Sequence, residues 1–274
     1  MPVDVVAEVL SNTRLSPDYN VISLAAPAIA REAAPGQFVM VRTSAHFDPL
    51  LRRPFSIFER LRGEDGSVRG LSLLNKRVGV GTTILYEAKP GDRVSVVGPL
   101  GRPFVPVDPP GDAWLVAGGV GLAPFVTLAE SLAARGTPTT LFYGARSAGD
   151  LYYADFFRDL GARVELTTED GSLGEPGRVT GPLARAIAER APNARPTIYA
   201  CGPTPMMRAV AELGARADVP VAVSLEPVMG CGMGGCYSCV VPVRSGGASH
   251  FVRSCIEGPV FDAATLVWDG LAGH

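Results

Sequence analysis

The sequence predicts a β plus α/β fold: an N-terminal antiparallel β-barrel, a parallel-sheet α/β domain after it, and a small cysteine-bearing segment at the end. Three observations carry that prediction. Up to about residue 105 the chain runs in short alternating segments cut by turn residues. Beyond that point short apolar segments alternate with helical patterns, and from Glu226 onward both rhythms give way to a cluster of glycines and cysteines. A chain of 274 residues exceeds the usual ~100–200 residues of one domain, and the changes of rhythm divide it into 1–105, 106–225 and 226–274.

Within the first part, Gln37-Phe38-Val39-Met40-Val41-Arg42 and Arg93-Val94-Ser95-Val96-Val97 read as strands, each preceded by a turn signal, Pro35-Gly36 and Pro90-Gly91-Asp92. Several such strands suggest a small barrel, and no long helix is expected there. The proline-rich stretch from Pro103 to Pro110 marks the boundary. After it come the strand Trp114-Leu115-Val116-Ala117, a glycine turn, and a helix over 122–135 that Gly136 ends. Strands over 140–143, 164–167, 197–200 and 221–225 then alternate with helices over 153–160, 182–190 and 205–213, the pattern of a parallel sheet covered on both faces.

The bulk properties narrow the function classes. No apolar run approaches the ~20 residues a bilayer span requires, so no membrane partner is expected. The start MPVDVVAEVL lacks the basic stretch and cleavage site of a secretory signal, which makes a cytoplasmic protein the expectation. A net charge of -2 without a basic patch argues against nucleic acid, leaving small molecules and another protein as partners.

Five segments carry chemistry. Cys231, Cys236, Cys239 and Cys255 follow the order C-x4-C-x2-C, fifteen residues, C, the spacing with which a tight loop and a remote cysteine hold a [2Fe-2S] cluster. A four-cysteine zinc site is the alternative, but it normally uses paired C-x2-C knuckles and only one such pair is present. Between strand and helix, Gly118-Gly119-Val120-Gly121-Leu122-Ala123-Pro124 approximates a dinucleotide fingerprint with proline at the third glycine position; backbone amides and a helix start would face a pyrophosphate. Cys201-Gly202-Pro203 closes the fourth strand of that sheet, at the end where such sheets bind ligands. In the barrel, Arg53-Pro54-Phe55-Ser56 offers a guanidinium fork and a hydroxyl to a diphosphate and a flavin edge, and Gly79-Val80-Gly81-Thr82-Thr83 offers glycines and hydroxyls to the same group.

Together these strings resemble the ferredoxin reductase superfamily. The segment from Ser224 through Cys236, Ser-Leu-Glu-Pro-Val-Met-Gly-Cys-Gly-Met-Gly-Gly-Cys, resembles the cluster loop of the electron-transfer subunit of dihydroorotate dehydrogenase B. The resemblance implies FAD at Arg53, Pro54, Phe55, Ser56, Leu74, Asn75, Lys76, Gly81 and Thr82, although an aromatic residue followed by arginine is usual where Asn75 and Lys76 stand. It implies NAD at Gly119, Gly121, Cys201, Gly202 and Pro203, and the cluster on the four cysteines. As partner it implies an FMN-containing catalytic subunit, two of each chain forming a heterotetramer, with electrons passing from that subunit through the cluster and FAD to NAD+. Other bearers of these modules, NAD(P)H:ferredoxin oxidoreductases and cytosolic hydrogenase flavin subunits, are the neighbouring readings; a zinc-stabilised binding protein is the reading from another class. Glu226 is expected near the flavin or in solvent, and the Gly144-Ala145-Arg146-Ser147 turn leaves NAD against NADP open. Met229, Met233 and Tyr237 suggest a docking face around the cluster loop.

Overall fold

The computed structural model describes residues 1–44 and 48–271. Seven strands make up the first half: β1 (Val3–Arg14), β2 (Tyr19–Leu24), β3 (Phe38–Arg42), β4 (Arg53–Ser56), β5 (Glu59–Arg62), β6 (Val68–Lys76) and β7 (Arg93–Leu100). They form one antiparallel sheet in the order β4-β3-β7-β1-β2-β6-β5. The long β1 pairs with β7 over its first half and with β2 over its second, with a register shift between Val9 and Ser11. Contact between β4 and β6 curls the sheet into an open barrel around Ile22, Leu24, Val39, Val41, Leu71 and Val96.

Two short helices sit in the barrel's connections: α1 (Pro27–Glu32) and α2 (Val80–Glu87). The second forms from the stretch whose glycines and hydroxyls the sequence offers to a diphosphate. Extended Gly79 stands at its N-cap, and Thr82 Oγ1 accepts the Val78 and Gly79 amides at 2.9 and 3.0 Å. Its far end is held by a ladder of asparagines. Asn12 Nδ2 donates to the carbonyls of Leu85, Tyr86 and Ala88, and Asn20 Nδ2 donates to Asn12 Oδ1 at 2.6 Å. Asn75 Nδ2 in turn donates to Asn20 Oδ1 at 2.7 Å and to the Thr82 carbonyl at 2.9 Å. Carbonyls left over at a helix end need partners, and here the barrel strands supply them.

The second half is built from β8 (Asp112–Gly118), α3 (Phe125–Ala134), β9 (Thr139–Ala145), α4 (Ala154–Asp159), β10 (Arg163–Thr168), the short β11 (Glu175–Pro176), α5 (Thr180–Glu189), β12 (Pro196–Cys201), α6 (Thr204–Ala217) and β13 (Val221–Ser224). The helix expected over 122–135 is divided: Gly119–Leu122 is a tight 3-10 turn, and α3 begins after Pro124, whose missing N–H suits a helix start. After β13 the tail forms the hairpin β14 (Val240–Ser245) and β15 (Ala248–Arg253), then the single turn α7 (Ser254–Glu257). It then adds the edge strand β16 (Val260–Asp262), which completes a sheet in the order β11-β10-β9-β8-β12-β13-β16. All pairings from β11 to β13 are parallel, and β16 runs antiparallel to β13.

The two halves share one apolar core, in which Tyr19, Phe58, Leu74 and Phe104 join Leu115, Phe125, Leu128 and Tyr199. Ring pairs stitch the seam: Phe58 stands edge-on to Tyr153 at 4.7 Å, and Phe104 edge-on to Tyr199 at 5.5 Å. Tyr199 Oη donates to the Val105 carbonyl at 2.8 Å and accepts the Val107 amide at 2.9 Å, tying the connector to the sheet. Among the described residues no helix is long and apolar enough to cross a membrane.

Candidate functional site

A cavity of about 570 Å³ opens at the carboxyl ends of β8, β9 and β12, where parallel sheets bind ligands. Gly119 lines it with φ +54, a left-handed conformation that glycine adopts without strain, and Gly202 and Pro203 also border it. Gly121 has a different task. A Cβ there would lie 2.3 Å from the Cys201 carbonyl oxygen, so the turn after β8 can rest on the end of β12 only with glycine at this position. Cys201 is fully buried behind the wall, its Sγ 3.9 Å from Glu226 Oε1. Burial, reinforced by that carboxylate, pushes the thiol well above its ordinary pKa, which makes it an inert wall residue at neutral pH. Glu226 lines the same cavity. Its carboxyl meets the solvent of the cavity but is walled by protein elsewhere, and this desolvation raises its pKa while the Cys201 thiol opposes the shift.

The barrel contributes Tyr19 and Lys76 to this cavity. The Lys76 ammonium stands 5.0 Å from the centre of the Tyr19 ring, and Tyr152 packs on Tyr19 at 5.0 Å. Lys76 is therefore a cation at the seam of the two halves. Leu74 lies in the shared core, and Asn75 is fully buried, its Nδ2 donating to Asn20 and α2 while its Oδ1 has no partner among the described residues. The Asn75 side chain thus supports the helix from behind.

Near the start of α2, Arg53, Pro54, Phe55 and Ser56 are half-buried along β4. The stem of Arg53 lies against Gly81: a Cβ on that glycine would meet Arg53 Cγ and Thr43 Oγ1, both at 3.3 Å. Arg52 is committed to Asp4 and Ser95, whereas Arg53 bonds to the carbonyls of Leu51 and Arg52. The Thr43 hydroxyl is buried without a partner among the described residues. An unpaired hydroxyl, a guanidinium and the first amides of a helix form a donor set that matches a diphosphate. The Thr82 hydroxyl caps its own helix, so that residue offers backbone to a ligand.

The four thiols lie close enough to interact, Cys255 with Cys231 as well as with its nearest neighbour Cys239. The Cys231 thiol interacts with that of Cys236, and Cys255 with Cys239. Four such thiols suit two irons. Backbone donors surround them: the Met233 amide points at Cys231 Sγ at 3.4 Å, the Cys231 amide at Cys236 Sγ at 3.3 Å and the Cys255 amide at Cys239 Sγ at 3.5 Å. Gly232 and Gly234 take φ of +72 and +83 to turn the loop. Desolvation raises the Cys231 thiol, but the amides of Met233, Cys236 and Gly235 and the Cys236 thiol outweigh it and bring its pKa down to about 7. Burial, with the Cys239 thiol beside it, pushes Cys255 up to about 12. Cys239 and Cys255 are buried with Phe38, Met40, Val97 and Leu100 of β3 and β7, whereas Cys236 is exposed.

Met229 belongs to this buried group, so it packs against the barrel strands and leaves Met233 and Tyr237, 55% and 63% exposed, on the outer face. Tyr19, Thr43 and the asparagine ladder escape a reading of the sequence because each acts across strands far apart in the chain. One signal is present: Asn12 and Asn20 stand inside strands, where asparagine is disfavoured.

Comparisons agree with this geometry. Residues 226–267 match the iron-sulfur cluster binding domain of dihydroorotate dehydrogenase B, and residues 115–212 match an oxidoreductase NAD-binding domain. The chain is 42% identical to the dihydroorotate dehydrogenase B (NAD(+)) electron transfer subunit of Desulforamulus reducens over 96% of this chain and 98% of that one. It is 37% identical to that of Geobacillus kaustophilus over 90% and 91%. Among solved structures, a chain from the NADH-dependent reduced ferredoxin-NADP oxidoreductase superposes with a TM-score of 0.84 at 30% identity, covering 98% of this chain and 94% of the other. A ferredoxin NADP+ reductase from Neisseria gonorrhoeae, with bound FAD and NADP, shares the fold at a TM-score of 0.64 and 15% identity, over 78% of this chain and 91% of its own. On the strength of its near-complete overlap with these relatives, the chain belongs to the family of dihydroorotate dehydrogenase B electron transfer subunits.

Proposed function

We propose that this chain is the electron-transfer subunit of a cytoplasmic dihydroorotate dehydrogenase, taking electrons from an FMN-containing catalytic subunit in a two-plus-two heterotetramer and delivering them to NAD+ in pyrimidine biosynthesis. The observation that carries the reading is the contact between cysteine loop and barrel. Gly232 rests on Met40 of β3, and Met40 pairs in register with Pro54 of β4. A single strand thus lies between the cysteine loop and the flavin segment.

When bound, the cluster carries single electrons and FAD converts them to the hydride that NAD+ accepts. The chain's own residues bind, orient and insulate. Arg53, Thr43 Oγ1 and the start of α2 would hold the flavin diphosphate, and Pro54, Phe55 and Ser56 would border the ring. Gly119, Gly202 and Pro203 line the cavity that receives the nicotinamide dinucleotide, with Gly121 and Cys201 shaping its wall. Cys231, Cys236, Cys239 and Cys255 would hold the cluster. The amides aimed at their sulfurs stabilise added negative charge.

The test is anaerobic purification with a visible spectrum before and after NADH, iron and flavin quantified on the same sample, and then reconstitution with the catalytic subunit. Flavin and [2Fe-2S] bands bleached by NADH, and dihydroorotate-dependent NADH formation in the complex, are expected. A colourless protein, or zinc in place of iron, sinks the redox reading. Ferredoxin-dependent turnover without orotate formation would move the chain to the ferredoxin oxidoreductases.

A further inference from the structure

Arg253 ends β15, half-buried and two residues before Cys255, and its Nη1 donates to the Gly234 carbonyl at 2.9 Å. Its guanidinium carbon also stands 5.0 Å from the centre of the Tyr237 ring. Gly234 and Tyr237 flank the exposed Cys236 in the chain, so one side chain grips the outer edge of the loop on both sides of that thiol. Tyr237 has φ +57, a left-handed conformation that is costly for a residue with a side chain and persists only when its surroundings hold it.

The charge of Arg253 is uncompensated. Among the described residues no carboxylate pairs with it, and the nearby acid on α7, Glu257, is taken by Arg102 at 2.6 Å. The opposite side of the loop offers no counterweight, because Cys239 and Cys255 are buried among Phe38, Met40, Val97 and Leu100. A cluster on four thiolates is anionic when oxidised and gains a further negative charge on reduction, so net charge at its edge enters its potential directly. We infer that the positive charge of Arg253 sets the reduction potential of the cluster by stabilising its reduced state from the Gly234 edge of the loop. This rests on the assignment of the four cysteines as cluster ligands.

The experiment is an anaerobic redox titration of the full chain followed by electron paramagnetic resonance, on the parent, R253Q, R253K and Y237L. Absence of a reduced-cluster signal in the parent would defeat the ligand assignment itself, before Arg253 is tested. With the signal present, R253Q loses the charge and retains an amide donor on a shorter side chain. Its reduction equilibrium should fall about tenfold, equivalent to about 59 mV for one electron, while R253K recovers most of the shift. Y237L removes the ring and leaves the charge, so it should titrate with the parent. If R253Q holds no cluster, one retained by R253K at the parent's potential still assigns the effect to charge. Parent-like titration of R253Q, or equal failure of R253K and R253Q, would overturn the inference and leave Arg253 a clamp on the loop.

Discussion

The turn from Gly119 to Gly121 and the loop from Cys231 to Cys239 both use glycine to bring backbone amides to a ligand, yet they are held in opposite ways. Gly121 abuts the Cys201 backbone between β8 and β12, two paired central strands whose Leu115, Ala117 and Cys201 are fully buried. That turn is shaped by the sheet before any ligand arrives. In the cysteine loop, Gly232 abuts the side chains of Met40 and Leu100, and a Cβ on Gly235 would meet nothing within 4 Å. Its thiols interact as Cys231 with Cys236 and Cys239 with Cys255, and a cluster held there would close the loop. One region is preformed and the other is completed by its cofactor, as metal sites coupled to folding generally are.

The largest effect that would break this contrast comes from C255S, which removes a ligand from the buried pair. Complete loss of bound iron is expected, with NADH still bleaching the flavin; iron assay and spectrum on one sample check it, and loss of NADH reduction as well would mean the two regions are not independent. G121A should act the other way. A Cβ against a backbone oxygen cannot be accommodated by rotating a side chain, so a cost of about 3 kcal/mol in urea denaturation is expected, together with weakened NADH binding and parent-like iron content. N12A withdraws the donor from three carbonyls at the end of α2 and should cost about 1–2 kcal/mol, seen as lower midpoint stability and looser flavin but unchanged iron.

The smallest effect concerns the cavity wall. The Glu226 pKa is raised in the folded chain, so the native state binds that proton more tightly than the unfolded one, and the residue's contribution to stability declines as pH rises from the ordinary carboxylate range through the folded pKa. E226Q should therefore match the parent at low pH and exceed it slightly at neutral pH, in paired denaturation curves. An E226Q protein less stable than the parent at neutral pH would show that the charge is favoured there.

The α/β half is largely legible in sequence. β9, β10, β12 and β13 fall within two residues of their expected bounds, because buried parallel strands and amphipathic helices have distinct local patterns. The cysteine spacing is legible for a similar reason, since ligand geometry fixes it. The barrel is less so. Residues Gly79 to Thr83 show no helical pattern of their own, and α2 forms there because distant asparagines donate to its carbonyls and Leu85 and Tyr86 find buried places. The resemblance places Asn75 at the flavin; its amide nitrogen also supports α2, a pairing visible only once β2 and β6 are side by side, and its Oδ1 is left without a partner among the described residues. Arg253 carries no motif at all.

The continuous core between barrel and sheet bears on how such proteins can be recombined. Modular reductases invite exchange of one half for a relative's to alter nucleotide preference. Here a cut at the proline-rich connector would sever Phe58 from Tyr153, Phe104 from Tyr199, and both hydrogen bonds of the Tyr199 hydroxyl. A graft would therefore have to import partners for those rings along with the new cavity, so the smallest transplantable unit is the sheet together with the barrel surface it sits on.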